Sequence, residues 1–304
     1  MTLEITTPSQ TTKKILIIGS TCALIITLWV SFFRIPSTFP EQARFTVNEY
    51  ESLRSISLRL KEEGFITSSV LFRAAISFLG HDRAVQLGVY RFETPTHITG
   101  VVRRFISGPQ EPLLSITIPE GSTTQEIAAI IKKAQPALSI DTFGELVYRE
   151  RADGYLFPST YYLVPSQQES DIIARMRATF DKQYEAAFKD KNYPRYVPNQ
   201  KSVVSLAAIL EGEAKGEEDM RIVSGILQTR LAQGMRLQVD VAEITYDEAG
   251  IPEQPINNPV LVAMNAVFDP IPTPYLYYIT GDDGKMYYAK TFAEHKENIR
   301  KYLR

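Results

Sequence analysis

The sequence predicts an α+β protein: an N-terminal transmembrane helix, a small mixed α/β unit, then a larger mixed α+β domain. Three observations predict it. Residues 15–33, ILIIGSTCALIITLWVSFF, are nineteen residues without a charge. Strand-like alternation and helical periodicity then follow in the order strand, helix, turn, helix, and that order occurs twice. The chain closes on two tyrosine-rich strand segments and a last helix.

The apolar run is long enough for a hydrocarbon core of roughly 30 Å. Lys13-Lys14 and Arg34 bracket it, and Trp29 lies near its far end. A cleaved signal peptide is the competing reading, but its apolar stretch is usually shorter, and FRIPSTFPEQ offers no A-x-A-like site. The expectation is an uncleaved anchor over 15–33 that contacts the lipid bilayer. The paired lysines put residues 1–14 in the cytoplasm and the rest beyond the membrane.

After a Pro/Ser-containing linker (36–42), ARFTV alternates like a strand. YESLRSISLRLKEEG sets Leu53, Ile56 and Leu60 on one helical face and stops at Gly64. TSSVLFRAAISFLG is a second helix, capped by Thr67 or Ser68. LGVYRF as a strand and THITGVVRRFISG as a helix complete the first unit. The pattern then repeats weakly: LLSITIPEG as a strand, STTQEIAAIIKKA as a capped helix with Glu126 near its start, and DTFGELVYRE as a helix. Helices follow at SDIIARMRATFDKQYEAAF, KSVVSLAAILEGEA and Glu218–Gln233. TPYLYYIT, the turn GDDG, KMYYAK and the helix AEHKENIRKYLR end the chain.

With 304 residues, 44% hydrophobic and 22% charged, the chain can bury a sizeable core. A net charge of −2 with interspersed signs leaves no basic stripe for phosphates, so nucleic acid is not expected as a partner. His81, His97 and His295 are far apart and Cys22 is the single cysteine, lying within the apolar run; no zinc-type spacing exists and no cofactor is expected. Esterase, penicillin-binding and nucleotide-binding signatures are missing.

Chemistry concentrates in LAAILEGEAKGEEDM. At roughly 100° per residue, Glu211 shares a helix face with Val204, Ala207 and Ala208, and Glu213 falls on the opposite side near Leu206 and Ile209. Neither lies on a polar stripe. A desolvated glutamate has a raised pKa suited to general acid work; equally, the helix frays at Gly212 and both carboxylates reach water. Spacing does not separate the two. Tyr155, Phe157, Tyr161 and Tyr162 around Pro158 suit sugar stacking or ordinary core packing. Arg236, Gln238 and Asp240 alternate in GMRLQVD, so an extended segment presents them on one face, toward a ligand or toward solvent.

Several segments in order resemble the MltG/YceG-like endolytic murein transglycosylases: the F-x-V strand, ITIPEGSTTQEIA, DGYLFPSTYY, LAAILEGEA, TRLAQGMRLQVD and PYLYYITGDDGKMYYAKTFAEH. The resemblance runs from the anchor to the C-terminus. It implies a LysM-like glycan-binding unit at 41–113 and a catalytic domain at 114–304 of a bacterial cytoplasmic-membrane enzyme. It also implies cleavage of the MurNAc-β-1,4-GlcNAc bond of nascent peptidoglycan strands with formation of a 1,6-anhydro end. Glu211 matches the family's catalytic position and would act first as acid, then as base. Glu213, Tyr155, Tyr161, Arg236, Gln238 and Asp240 match motif positions and are expected around the glycan. Cell-wall synthesis proteins are possible further partners.

The chain also departs from the family pattern. Thr229-Arg230-Leu231 stands for N-R-L, Val239-Asp240-Val241-Ala242 for S-D-P-T, and a Tyr/Gly/Pro-rich stretch before Pro255-Ile256-Asn257-Asn258-Pro259 is largely absent. The terminal hairpin carries Met286 about where a histidine is expected. Two alternatives therefore stand: a non-catalytic peptidoglycan-binding scaffold, and a hydrolytic muramidase using Asp240 or Glu243 as a second carboxylate.

Overall fold

A computed structural model describes residue 20 and residues 33–49, 51–81, 85–165 and 167–303. Apart from Ser20 and Phe33, the expected anchor lies outside the described residues; among those, no helix is long and apolar enough to cross a membrane. The fold is mixed α+β, with helices around three small sheets. The chain divides into two compact units, Met1–Leu114 and Ser115–Arg304.

In the first unit, β1 (Ala43–Val47) pairs antiparallel with β2 (Gly88–Phe92), from Ala43 opposite Phe92 to Val47 opposite Gly88. β3 (Glu111–Pro112) adds to the other edge of β2. Helices α1 (Leu53–Glu62) and α2 (Ser69–Phe78) lie between β1 and β2, and α3 (Ile98–Ser107) follows. Ser52 and Ser68 cap α1 and α2, their hydroxyls accepting the Ser55 and Leu71 N–H groups. Gly64 has φ +83, and a Cβ there would come within 2.6 Å of the Thr38 carbonyl oxygen, so the stop after α1 requires glycine twice over. Phe45, Phe65, Phe72, Tyr90 and Phe105 fill the core, with Tyr90 stacked on Phe105 at 4.2 Å.

β4 (Leu114–Thr117) starts at the last residue of the first unit and opens the second; α4 (Thr124–Ala134) and α5 (Ile140–Arg149) follow, and β5 (Thr160–Leu163) returns to pair with β4. The expected cap of α4 is a complete capping box between Thr123 and Glu126. Both units thus begin strand, helix, helix, with a later strand returning to the first.

Then come α6 (Glu169–Phe188), α7 (Gln200–Glu213), α8 (Glu217–Ala232), the short α9 (Ile244–Asp247), α10 (Leu261–Phe268), the antiparallel hairpin β6 (Tyr277–Thr280) and β7 (Met286–Ala289), and α11 (Phe292–Tyr302). One core gathers on α4, α5 and the start of α6. A second surrounds α7, whose residues from Val203 to Leu210 are all buried. Burying its valine, leucine and isoleucine side chains contributes about 1.5–3 kcal/mol each, which explains an apolar run without a polar face. Gly225 in α8 allows the Ile271 backbone to pass: a Cβ would sit 2.2 Å from its carbonyl oxygen.

Candidate active site

Helix α7 carries its two glutamates in the last turn, where the helix dipole disfavours negative charge. They face different surroundings. Glu211 is half-buried, and its Oε2 accepts the Val260 N–H at 3.3 Å, from the residue that opens α10. Burial raises its pKa above the ordinary carboxylate value; the Val260 N–H opposes this and the charge of Glu120 adds to it. Across from Glu211 lies the turn Pro119-Glu120-Gly121-Ser122. Gly121 has φ +66, and a Cβ there would approach the Glu211 Cγ to 3.1 Å.

That turn is tied to α10 by Asn258, which is buried. Its backbone N–H and Nδ2 both donate to the Ser122 carbonyl, at 3.1 and 2.9 Å, and its Oδ1 accepts the Leu156 N–H at 2.8 Å. Asn257 beside it donates Nδ2 to the Ala208 carbonyl of α7 at 2.9 Å. Two adjacent asparagines therefore join the Gly121 turn, the aromatic turn after α5, helix α7 and the start of α10.

Glu213 belongs to the other side of the helix end. Its Oε1 accepts the Val241 N–H at 3.3 Å. Burial raises its pKa, the Val241 N–H and the nearby Tyr278 hydroxyl lower it, and Asp240 raises it. The Tyr278 hydroxyl lies beside the carboxyl without a well-formed hydrogen bond, and burial, followed by the Glu213 charge, pushes its own pKa far up. Arg230 is near enough for the Glu213 charge to act on its guanidinium, though the two form no ion pair among the described residues; it is buried, donates Nε to the Leu276 carbonyl at 2.8 Å and Nη1 to the Leu237 carbonyl, and lies over the Tyr277 and Tyr278 rings. Desolvation lowers its pKa, yet a guanidinium stays charged in proteins.

Gly212, between the glutamates, lets the 239–242 loop rest on α7, since a Cβ would meet the Val241 side chain at 3.1 Å. Arg236, Gln238 and Asp240 are exposed in alternation with buried Leu237 and Val239. The segment is nevertheless irregular rather than a strand, because Gln238 takes φ +51. Asp240 accepts the Tyr246 hydroxyl at 2.5 Å, and Arg236 donates to the Tyr246 carbonyl at 2.9 Å. The fold thus brings Glu213, Asp240 and Arg236 into one neighbourhood.

The two tyrosines lie elsewhere. Tyr155 is half-buried, edge-on to Phe180 at 4.9 Å with the Arg177 guanidinium 5.1 Å from its ring. Tyr161 is in the core at 3% exposure; its hydroxyl donates to the Phe157 carbonyl at 2.5 Å, and burial pushes its pKa up to about 12. A ring so enclosed has no open face for a sugar. Among the described residues, no three His, Cys, Asp or Glu side chains are grouped to hold a metal ion.

Residue patterns alone did not mark Glu120, Gly121, Asn258, Val260, Arg230 or Tyr278. The P-E-G turn and the N-N-P tripeptide were visible punctuation, but their arrival at Glu211 depends on contacts across as many as 136 residues.

The YceG-like family model matches residues 45–244 and 244–301. The chain is 22% identical to the endolytic murein transglycosylase of Streptococcus pneumoniae serotype 2 (strain D39), over 84% of this chain and 58% of that protein. It therefore spans little more than half the length of that relative. It is 24% identical to the endolytic murein transglycosylase of Bacillus subtilis (strain 168), over 83% of this chain and 82% of that protein. The crystal structure of a yceG-like protein from Listeria monocytogenes superposes with a TM-score of 0.52 at 20% identity, covering 84% of this chain and 98% of that one.

Proposed function

Since the chain belongs to the YceG-like family, we propose that it is an endolytic murein transglycosylase, cleaving MurNAc-β-1,4-GlcNAc bonds within peptidoglycan strands and leaving a 1,6-anhydro end. The observation that carries this is Glu211: a half-buried carboxyl, its pKa raised by burial above the ordinary carboxylate value, at the end of an apolar helix and held by one backbone N–H.

Ordinary glycosidases need two carboxyl groups, because water must be activated as well as the leaving group protonated. An intramolecular nucleophile removes that need. Protonated Glu211 donates to the glycosidic oxygen as the C1–O bond breaks. The carboxylate so formed takes the proton of the C6 hydroxyl as O6 bonds to C1, closing the anhydro ring. Proton and electron pairs balance, and no water enters.

Glu213 serves this site by fastening the 239–242 loop to the helix end through the Val241 N–H. Arg236, Gln238 and Asp240, exposed on that loop, are the groups offered to the glycan. Tyr155 borders the substrate region, and Tyr161 acts from beneath, as packing. The 15–33 anchor would hold the enzyme on the outer face of the bacterial cytoplasmic membrane, near cell-wall synthesis proteins, with the 41–113 unit as a LysM-like hold on the strand.

Glu120 favours a second reading, since its charge lies close enough to raise the pKa of Glu211. A hydrolytic muramidase would use it as the second carboxylate in place of Asp240, which neighbours Glu213 instead. Full-length protein in detergent, incubated with murein and read by mass spectrometry, separates the cases. Transglycosylation yields products lighter by one water than hydrolysis, and Glu211→Gln abolishes them. Reducing ends that disappear in Glu120→Gln would establish hydrolysis; bound murein with no product of either kind would leave only a scaffold.

A further inference from the structure

A cavity of about 650 Å³ in the second unit is lined by four cations, Arg149, Arg151, Arg177 and Lys201, against two anions, Asp153 and Glu253. In a chain of net charge −2 this is a local excess of positive charge, and little of it is neutralised from within. Lys201 and Glu253 are 3.9 Å apart and largely exposed, so that pair is weak. Asp153 already accepts the Thr124 hydroxyl at 2.8 Å. Arg149 and Arg151 form no ion pair among the described residues.

The wall is built rather than incidental. Helix α5 ends with Arg151 at φ +52, a conformation that normally selects glycine, while its N–H bonds the Tyr148 carbonyl and the Ala152 N–H that of Val147. Arg177 reaches from α6 to the Glu150 carbonyl at 3.1 Å and covers the Tyr155 ring. A second cavity of about 280 Å³ shares Asp153 and Pro255 with the first and extends to Asn257 and Asn258. Asn258 is two residues from Val260, whose N–H holds Glu211. The cationic cavity thus shares residues with a second cavity whose Asn258 lies two residues along the chain from the N–H that holds the acid.

We propose that this cavity binds free carboxylates on the peptide branches of the glycan, and so makes the enzyme prefer peptide-bearing strands over stripped ones; this rests on the transglycosylase reading above. The lactyl carboxyl of N-acetylmuramic acid is consumed in the amide to its peptide, and the remaining sugars are neutral. Stripping the peptide frees the lactyl carboxyl, but that charge stays against the sugar ring, whereas a peptide-bearing strand carries its charge out on the branch, where forked guanidinium donors match it.

The test is titration of the γ-linked peptide L-Ala-γ-D-Glu-L-Lys into the full-length Glu211→Gln protein in detergent, followed by nuclear magnetic resonance. Binding should weaken at least tenfold when Arg149→Ala and Arg151→Ala are added, with an unchanged melting profile, and should vanish for the peptide with its carboxyls amidated. In protein with Glu211 intact, the same two substitutions should bring the rate ratio of peptide-bearing to stripped strands toward one. No binding, equal binding by the double variant or by the amidated peptide, or inorganic pyrophosphate binding where the peptide does not, would each overturn the proposal. Binding is read without turnover, so peptide binding with no anhydro product from the unsubstituted protein would refute the reaction rather than the cavity.

Discussion

Gly121→Ala probes the site with the smallest possible change, one methyl group. Its backbone is left-handed at φ +66, which costs an L-residue about 1–2 kcal/mol. The stiffer unfolded chain returns about 0.4–1 kcal/mol, leaving a net loss near ~1 kcal/mol. For a unit of this size that is a fall in melting temperature of about 2–4 °C. The new Cβ would also stand 3.1 Å from Glu211 Cγ, nearer than ordinary contact, so the carboxyl must move by a few tenths of an ångström. Displacement on that scale should lower the rate by about threefold to tenfold, given that a full ångström costs about a hundredfold.

Gly284→Ala separates strain from contact. Its φ is +76, and no atom lies within 4 Å of the added Cβ. The two variants should melt together by calorimetry, and only Gly121→Ala should release fewer anhydromuropeptides from murein. If both keep full activity, or lose it equally, the Gly121 turn does not position Glu211 and the geometry assigned to the acid is wrong.

Glu211→Gln should abolish turnover yet stabilise the protein at neutral pH. The folded pKa is raised, so between the unfolded and folded pKa values the native state holds more protons and stability falls as pH rises; an amide removes that penalty, and the gain in melting temperature should disappear below the unfolded carboxylate pKa. For the same reason the rate should decline on the alkaline side as Glu211 loses its proton, at a pH above the usual carboxylate range. Arg230→Met should destabilise by about 2–4 kcal/mol in denaturant titration, because the Leu276 and Leu237 carbonyls lose their charged donor; a change under about 0.5 kcal/mol would show that those bonds add nothing to stability. Gly225→Ala, a substitution that stabilises an ordinary helix by up to about 1 kcal/mol, should destabilise here, since the Ile271 carbonyl occupies the space.

Local patterns were legible wherever the chain acts through its neighbours. The helix carrying Glu211 was readable from its apolar run, and simple angles put Glu211 and Glu213 on opposite sides, in keeping with their separate partners. The helix expected at Glu218–Gln233 forms at Glu217–Ala232, a one-residue shift set by the left-handed Gly216 before it. The alternation of Arg236, Gln238 and Asp240 was visible because Leu237 and Val239 are apolar, but the positive φ of Gln238 was not, since glutamine does not advertise it. Tyr155 and Tyr161 looked alike in sequence. Their difference is tertiary: α6 brings Phe180 and Arg177 to one, and the core encloses the other. Arg230 entered only within the Thr229-Arg230-Leu231 motif and Tyr278 only within a strand segment, because a charge inside a helix stripe and a tyrosine in a hairpin carry no mark of their own until they meet.

Asn258 imposes an order on the birth of the molecule. Its side chain closes on Leu156 and Ser122, laid down 102 and 136 residues earlier, so an emerging polypeptide has both glutamates synthesised while the clasp that completes their surroundings does not yet exist. Contacts of such separation form late and slowly. Through most of its translation the chain therefore lacks this clasp, and a product terminated before the N-N-P tripeptide would possess Glu211 but neither Asn258 nor the Val260 N–H that holds the carboxyl.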